Sequence, residues 1–481
     1  EEDPEAAVKA LNTCYTYLGN MDEQLYCEAM TDNAYTKQPN DATQNIGNGS
    51  YSTADPYVKK VWDGRYTGIR MCNELLENID RVPDLDPELK KRYIGEAKVL
   101  RAYNYYELYT KFGDIPYTTK VLSIKESMSI ARTAKATVIA NVLADLDEVI
   151  NGNYLPTSYD ADNKGRITRW AAMAIKAKIY LFEGNWTQVK NITSTIMTEG
   201  GFKLFGSYAG LFEIANEYNS EVILDAQYRP TSREHQMMYV FLPPTLGGYS
   251  QLSPLQELVD SYIMLDGKTI KETGTSFDES HPYANRDPRL KATVMYTGNS
   301  YTLADGTEVV INCEKGEGKD GYGVGSDCSA TGYYIKKYWD NTYRATLYSG
   351  LNPILIRYAD ILLMNAEALA ELGELDKTAW DATIKPIRDR AGFTLASALE
   401  FPEGASKDKL IEIVRNERRS ELALEGHRHK DIIRWRIADN VLNGWCHGLK
   451  TNDVVGTDDG YVRVENRTFN ANRHYLWPIP Q

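Results

Sequence analysis

At 481 residues, 42% hydrophobic and 25% charged, the chain is longer than one ordinary core, so two lobes or a repeat array with inserts is expected. A net charge of −13 with no basic stripe argues against nucleic acid as a partner, and no apolar run approaches the roughly 18 residues of a membrane-spanning helix. Six cysteines, none in a C-x-x-C pair, are too scattered for a disulfide framework and leave no zinc or redox motif. Cys313 and Cys328 bracket a glycine-rich loop, where either a bridge or two small buried residues fits.

In chain order, "EEDPEAAVKALNTCYTYL" opens directly on apolar positions at helical spacing, without a signal-peptide pattern. A helix is predicted from about Pro56 to Arg81, with Val58, Val61, Trp62, Ile69, Leu75, Leu76 and Ile79 inward. The next opens on Asp86–Pro87, a capping residue followed by proline at the first turn, and stops at Gly113. Helices over 133–153, 168–184 and 185–201 follow. The stretch 171–197, with its central Gly184–Asn185 turn, has the small–large alternation of a tetratricopeptide-like hairpin. A second such hairpin runs from Tyr358 to Gly392.

Between them, over 201–352, helical periodicity gives way to Gly, Pro, Tyr, Thr and Asn, with short strand-like runs such as "EVILDAQY", "KATVMY" and "EVVINC". The expected fold is therefore mainly α. A tetratricopeptide-like scaffold spans an N-terminal part (1–200) and a C-terminal part with its closing segment (353–481), and a large irregular loop and short-strand insertion (201–352) sits within a single unit, 1–481.

The segment Arg415–Trp435 is charged at ten of 21 positions yet keeps an apolar side through Leu422, Leu424, Ile432, Ile433 and Trp435. On a helix, Arg418–Glu421, Glu425–Arg428, Arg428–Asp431 and Asp431–Arg434 are three apart, which predicts an ion-pair ladder across a corner broken at Gly426. That is an architectural reading; the alternative, Glu417 and Glu421 as an acid/base pair, is the rarer use of such a pattern. Other signals carry little. Gly316–Gly321 matches G-x-G-x-x-G without the strand and helix a dinucleotide loop needs. The run 160–165 begins like a calcium loop, but Ala171 stands where the final Glu belongs. His427 and His429 diverge by about 200° on a helix, a poor ligand pair. No cofactor, metal site or catalytic constellation is expected.

Glu417, Arg418, Glu421, Leu422, Glu425, Gly426, Arg428, Asp431, Arg434 and Trp435 together resemble the C-terminal signature of SusD/RagB-type proteins, with His429 in place of the usual aromatic and Ile432 of the usual Leu. Trp62–Ile79, Glu96–Tyr117, Arg357–Gly373 with Ile387–Gly392, and Tyr475–Pro480 resemble further elements of that family, in its order. The resemblance implies a non-catalytic, surface-exposed glycan-binding lipoprotein of the Bacteroidetes outer membrane. Its lipid would be attached upstream of Glu1, and it would deliver oligosaccharides to a SusC-like TonB-dependent transporter. Two alternatives stand beside it: a tetratricopeptide-type peptide-binding scaffold, and a glycoside hydrolase, which needs two carboxylates about 5–10 Å apart.

The signature is scaffold and does not locate a sugar site, so the loops are ranked on chemistry. Tyrosine outnumbers phenylalanine 34 to 10, and a residue with an apolar face and polar tip suits the C–H faces and hydroxyls of sugars. Three loops combine aromatic rings with hydrogen-bonding groups. Thr31–Tyr57 offers Asn45 and Tyr51; Thr331–Gly350 offers Tyr338, Trp339, Asn341, Tyr343 and Arg344; Met295–Thr302 offers Tyr296. Strand alternation in "YYIKKYW" would bury either Tyr338 or Trp339.

Overall fold

Asp55, Asp86, Thr168, Asn185, Asp376 and Ser406 each precede a long helix and accept a hydrogen bond from an amide of its first turn. Each such cap is worth about 1 kcal/mol. The helices they start are Pro56–Asn78, Pro87–Phe112, Arg169–Phe182, Trp186–Glu199, Lys377–Ala391 and Lys407–Glu421, with Pro4–Tyr15, Lys135–Asn151 and Tyr358–Leu372 alongside. The computed structural model describes residues 3–37, 42–343 and 346–481. Pro87–Phe112 is buried on nearly all sides from Tyr93 onward, which is why its sequence shows no one-sided stripe, and Gly113 ends it at φ 73°.

Successive helices pack as antiparallel neighbours: Pro56–Asn78 on Pro87–Phe112, then Lys135–Asn151, Arg169–Phe182 and Trp186–Glu199. The next layer is Tyr358–Leu372, which rests directly on Trp186–Glu199 and in turn carries Lys377–Ala391 and Lys407–Glu421. The scaffold is therefore mainly helical and continuous in space although more than 150 residues intervene in the chain. The intervening segment leaves and returns through one neck, where Val222–Asp225 pairs antiparallel with Ile354–Arg357, Val222 facing Arg357 and Asp225 facing Ile354.

The lobe beyond the neck has its own core, including Met237, Phe241, Leu252, Leu258, Tyr262, Tyr301, Tyr333, Tyr334 and Tyr338. Several of these tyrosines are not surface platforms. Tyr301 donates to Ile335 O at 2.8 Å, Tyr334 to Asp320 O at 2.5 Å and Tyr338 to Leu424 O at 2.8 Å. A segment with little regular ladder leaves many carbonyls without backbone partners, and buried phenols satisfy them while filling volume. The tyrosine excess is in good part a core property.

The charge-rich corner clamps lobe to scaffold. Arg357, at the neck, pairs with Glu221 at 2.7 Å, Glu421 at 2.6 Å and Glu425 at 2.7 Å; Arg289 reaches Glu417 at 2.7 Å and Glu421 at 2.9 Å; Lys337 reaches Glu425 at 2.6 Å. All of these side chains are buried. Burial pushes the Glu421 carboxyl up, but Arg390, Arg357 and Arg289 more than reverse this and hold it well below the carboxylate range. The predicted ladder is thereby corrected. Of its pairs only Asp431–Arg434 forms an ion pair along the helix, at 2.9 Å, whereas Arg418 turns to Asp360 and Asp431 and Arg428 to Asp32. The corner does break at Gly426, where φ is 80°.

One further feature was not foreseen, and one open alternative is decided. A three-stranded antiparallel sheet, Gly444–Lys450 with Tyr461–Arg467 and Thr457–Asp458, lies within the closing segment. It packs on the lobe, with Leu449 N donating to Thr331 O at 2.7 Å and Leu449 filling the space a Cβ at Gly332 would need. All six cysteines are free, so Cys313 and Cys328 form no bridge.

Candidate functional site

The eight residues singled out in the sequence do not converge on one place. Tyr338 is a core residue at φ 69°, its hydroxyl bonded to Leu424 O and accepting from Gln24 Nε2, and it presents no face to a ligand. Tyr51 is likewise buried, packed on His474 at 5.1 Å. Asn45 donates to Asp55 Oδ2 at 3.0 Å and so supports the cap of Pro56–Asn78. The side chain of Tyr343 and the whole of Arg344 lie outside the described residues.

Trp339 and Asn341 stay near one another. The strand expected through this run ends at Ile335, so it is a turn at Lys337–Tyr338, and not strand alternation, that buries Tyr338 and leaves Trp339 half-buried, its Nε1 donating to Thr302 O at 3.0 Å and its ring edge-on to Tyr301. Asn341 lines a cleft of about 740 Å³ with Tyr239, Thr245 and Leu303. Tyr348, 39% exposed, stands edge-on to Tyr239 beside it.

Tyr296 belongs to a different and larger groove, of about 940 Å³. It follows the short strand Val294–Met295, which Tyr334–Ile335 fixes by antiparallel pairing. Its ring stacks on Tyr283 with centroids 4.0 Å apart and planes at 18°. Tyr283 comes from the irregular stretch 262–287, closed at its base by Arg286, whose guanidinium donates to the carbonyls of Val259, Tyr262 and Pro282 at 2.7–3.2 Å. Burial lowers the Arg286 pKa from the usual guanidinium value.

Behind the stacked pair runs a hydrogen-bonded chain. The Tyr283 and Tyr333 hydroxyls are 3.2 Å apart, Tyr333 donates to Gln256 Oε1 at 2.5 Å, and Gln256 Nε2 donates to Asp260 Oδ1 at 2.7 Å. Burial pushes the Asp260 carboxyl up, and the bond from Gln256 partly opposes this. The opposite wall is the C-terminal sheet and its loop, with Tyr461 under the Lys450 ammonium at 5.4 Å. His447 staples that sheet in place: Nδ1 lies 2.8 Å from Glu257 Oε1 and Nε2 3.1 Å from Asp458 Oδ2. Flat aromatic faces and oriented donors and acceptors thus share one groove, as recognition of a polyhydroxylated ring requires. Among the described residues no cluster of His, Cys, Asp and Glu is placed to hold a metal ion.

The SusD family model matches residues 211–481, more than half of the chain, and a second model, described as starch-binding associating with outer membrane, matches residues 7–181. The chain belongs to the SusD family. A SusD-like protein of Formosa agariphila is 28% identical, the alignment covering 92% of this chain and 87% of that one. A solved SusD-like carbohydrate-binding protein from Bacteroides fragilis superposes with a TM-score of 0.87 at 27% identity, over 100% of this chain and 97% of the other. A laminarin-binding SusD-like protein shares the fold at 23% identity and TM-score 0.74, over 100% and 97% of the two chains.

Within this SusD-like frame, Tyr296 is the sequence-ranked residue that the larger groove takes in. Tyr283, Tyr333, Tyr461, Gln256 and Asp260 were missed. The run "FDESHPYANR", Phe277 to Arg286, has the same mix of aromatic rings and hydrogen-bonding groups as the ranked loops and was the available signal.

Proposed function

We propose that this SusD-family chain binds oligosaccharides at the cell surface without cleaving them, in the groove walled by Tyr283, Tyr296 and Tyr461. It passes them to a SusC-like TonB-dependent transporter and is held at the outer membrane by a lipid upstream of Glu1. The observation that carries the reading is the stacked Tyr283–Tyr296 pair lining an open groove of about 940 Å³ amid fixed hydrogen-bonding groups. A preformed stack offers a sugar its contact area at little conformational cost. Three of the five carboxylates that line the groove are engaged within the protein, Asp260 accepting from Gln256, Glu279 pairing with Lys450 at 2.6 Å and Asp453 with Lys315, while Glu314 and Glu317 are exposed; capture without cleavage follows the family's binding role. The outer-membrane placement rests on the family description and on the family's implied lipid anchor; no described helix is long and apolar enough to cross a membrane. A secondary contact surface lies around the smaller cleft, which Asn341 lines, with Trp339 two residues before it in the chain and Tyr348 edge-on to the lining residue Tyr239.

The test is calorimetric titration against plant, algal, fungal and mucin oligosaccharides, with chromatography of the sugars afterwards. Tyr296→Ala is expected to weaken binding by about 1–2 kcal/mol, and Trp339→Ala by less. Shortened sugars in the eluate would refute capture without catalysis. Binding lost in Trp339→Ala but intact in Tyr296→Ala would move the site to the surface around Trp339 and Asn341.

A further inference from the structure

The larger groove has a charge character that its aromatic lining does not reveal. Five carboxylates line it, Asp260, Glu279, Glu314, Glu317 and Asp453, against three cationic side chains, Lys315, Lys450 and Arg286. Each of the three cations is already engaged within the protein. Arg286 directs its guanidinium inward to the carbonyls of Val259, Tyr262 and Pro282. Lys450 pairs with Glu279 at 2.6 Å, and Lys315 pairs with Asp453. His281, also in the lining, is held by Asp278 at 2.9 Å. Glu314 and Glu317, by contrast, are exposed at the mouth and have no ion-pair partner among the described residues.

We infer that this groove selects uncharged oligosaccharides and rejects those bearing sulfate or uronate groups, which deepens the glycan-binding reading above and rests on it. An anionic sugar entering here would meet unpaired carboxylates, and the two ammonium groups within reach, Lys450 and Lys315, each already have their charge offset by Glu279 and Asp453. Recognition of sulfate or carboxylate calls for the reverse arrangement, with Arg or Lys donors free to close on the anion. Five carboxylates against three cations leave the groove net negative, and a net field in a cleft lowers the local concentration of a ligand of the same sign. The protein's net charge of −13 adds to the same repulsion.

The experiment uses the full chain and takes each neutral oligosaccharide that it binds. It compares that sugar with its own derivative oxidised at C6 to the uronate, at about 0.05 M and about 0.5 M salt. The derivative is expected to bind on the order of tenfold more weakly at low salt, with the gap narrowing at high salt. In the double variant Glu314→Lys, Glu317→Lys the ratio of anionic to neutral affinity is expected to rise several-fold. A gap unchanged by both salt and the variant would overturn the inference, because the loss would then come from the missing C6 hydroxyl. So would a natively sulfated or uronate-containing glycan that binds tightest, weakens with salt and is lost in Tyr296→Ala; that result would leave glycan binding in the groove intact. Failure of every glycan, neutral or anionic, would remove the glycan-binding reading and the selectivity with it.

Discussion

The helices on either side of the neck bury apolar faces against one another, through residues such as Val138, Val142 and Leu146. Among the described residues, the lobe between 200 and 353 has short helices, two-stranded pairings and isolated bridges, and several of its tyrosines hydrogen-bond to loop carbonyls from within the core. Both regions bury apolar cores, and the lobe, with little regular backbone ladder, depends in addition on directional bonds whose single removal leaves a buried group unsatisfied. The proposed sugar groove sits on the second kind of structure. Irregular backbone can aim Tyr283 and Tyr296 at one point from two separate segments, and the buried ion network at Arg357 ties the lobe that carries them to the scaffold.

The largest expected break in this comparison is Arg357→Met. It strands Glu221, Glu421 and Glu425 without their shared guanidinium and is expected to cost about 3–5 kcal/mol in denaturant unfolding. Glycan binding should be lost at a lower denaturant concentration than helical circular dichroism, because the joint serves the lobe. Simultaneous loss would mean that the two regions are one cooperative unit and that the distinction has no energetic content.

Next in size is a pair of hydroxyl deletions. Tyr301→Phe in the lobe removes the bond to Ile335 O and should destabilise by about 1–2 kcal/mol. Tyr109→Phe in the scaffold removes a buried hydroxyl with no partner among the described residues, and should be neutral or stabilising by up to about 1 kcal/mol. Equal costs at the two positions, read from chemical denaturation, would contradict the view that hydroxyl bonding matters more in the lobe.

The smallest effect expected is at His447. Its bond to Glu257 raises its pKa, against the lowering effect of burial, with Asp458 adding to the rise. A base raised in the folded state stabilises fully below its unfolded value near 6.5 and loses that contribution as pH climbs through the higher folded value. Wild type should therefore exceed His447→Gln in thermal midpoint at pH 6 by roughly 1 °C more than at pH 8. A larger difference at pH 8 would show that the imidazolium is not what holds the sheet against the lobe.

The scaffold was legible because its determinants are local: Asp55, Asp86 and Ser406 cap helices within three residues, and the Gly184–Asn185 turn joins neighbours in sequence. The charged corner was legible as architecture but not in its pairings. Asp32 is 396 residues from Arg428, and Glu421 meets Arg289 across 132 residues, separations that no helical spacing encodes. The groove was read least. It is assembled from segments near 256–260, 277–286, 296–298 and 449–461, none with a period of its own, so Tyr296 was found on its chemistry while Tyr283 and Tyr461 were passed over. Tyr338 and Tyr51 were overvalued for a related reason: loop composition suggests polarity, and only packing shows which tyrosines are enclosed.

The most direct test of the central claim is a crystal structure of the chain soaked with whichever neutral oligosaccharide it binds most tightly. The account predicts an intact sugar with one ring against Tyr296 or Tyr283 and hydroxyls within hydrogen-bonding distance of the groove's polar groups. Sugar bound instead along the helical scaffold, or found cleaved within the groove, would contradict it.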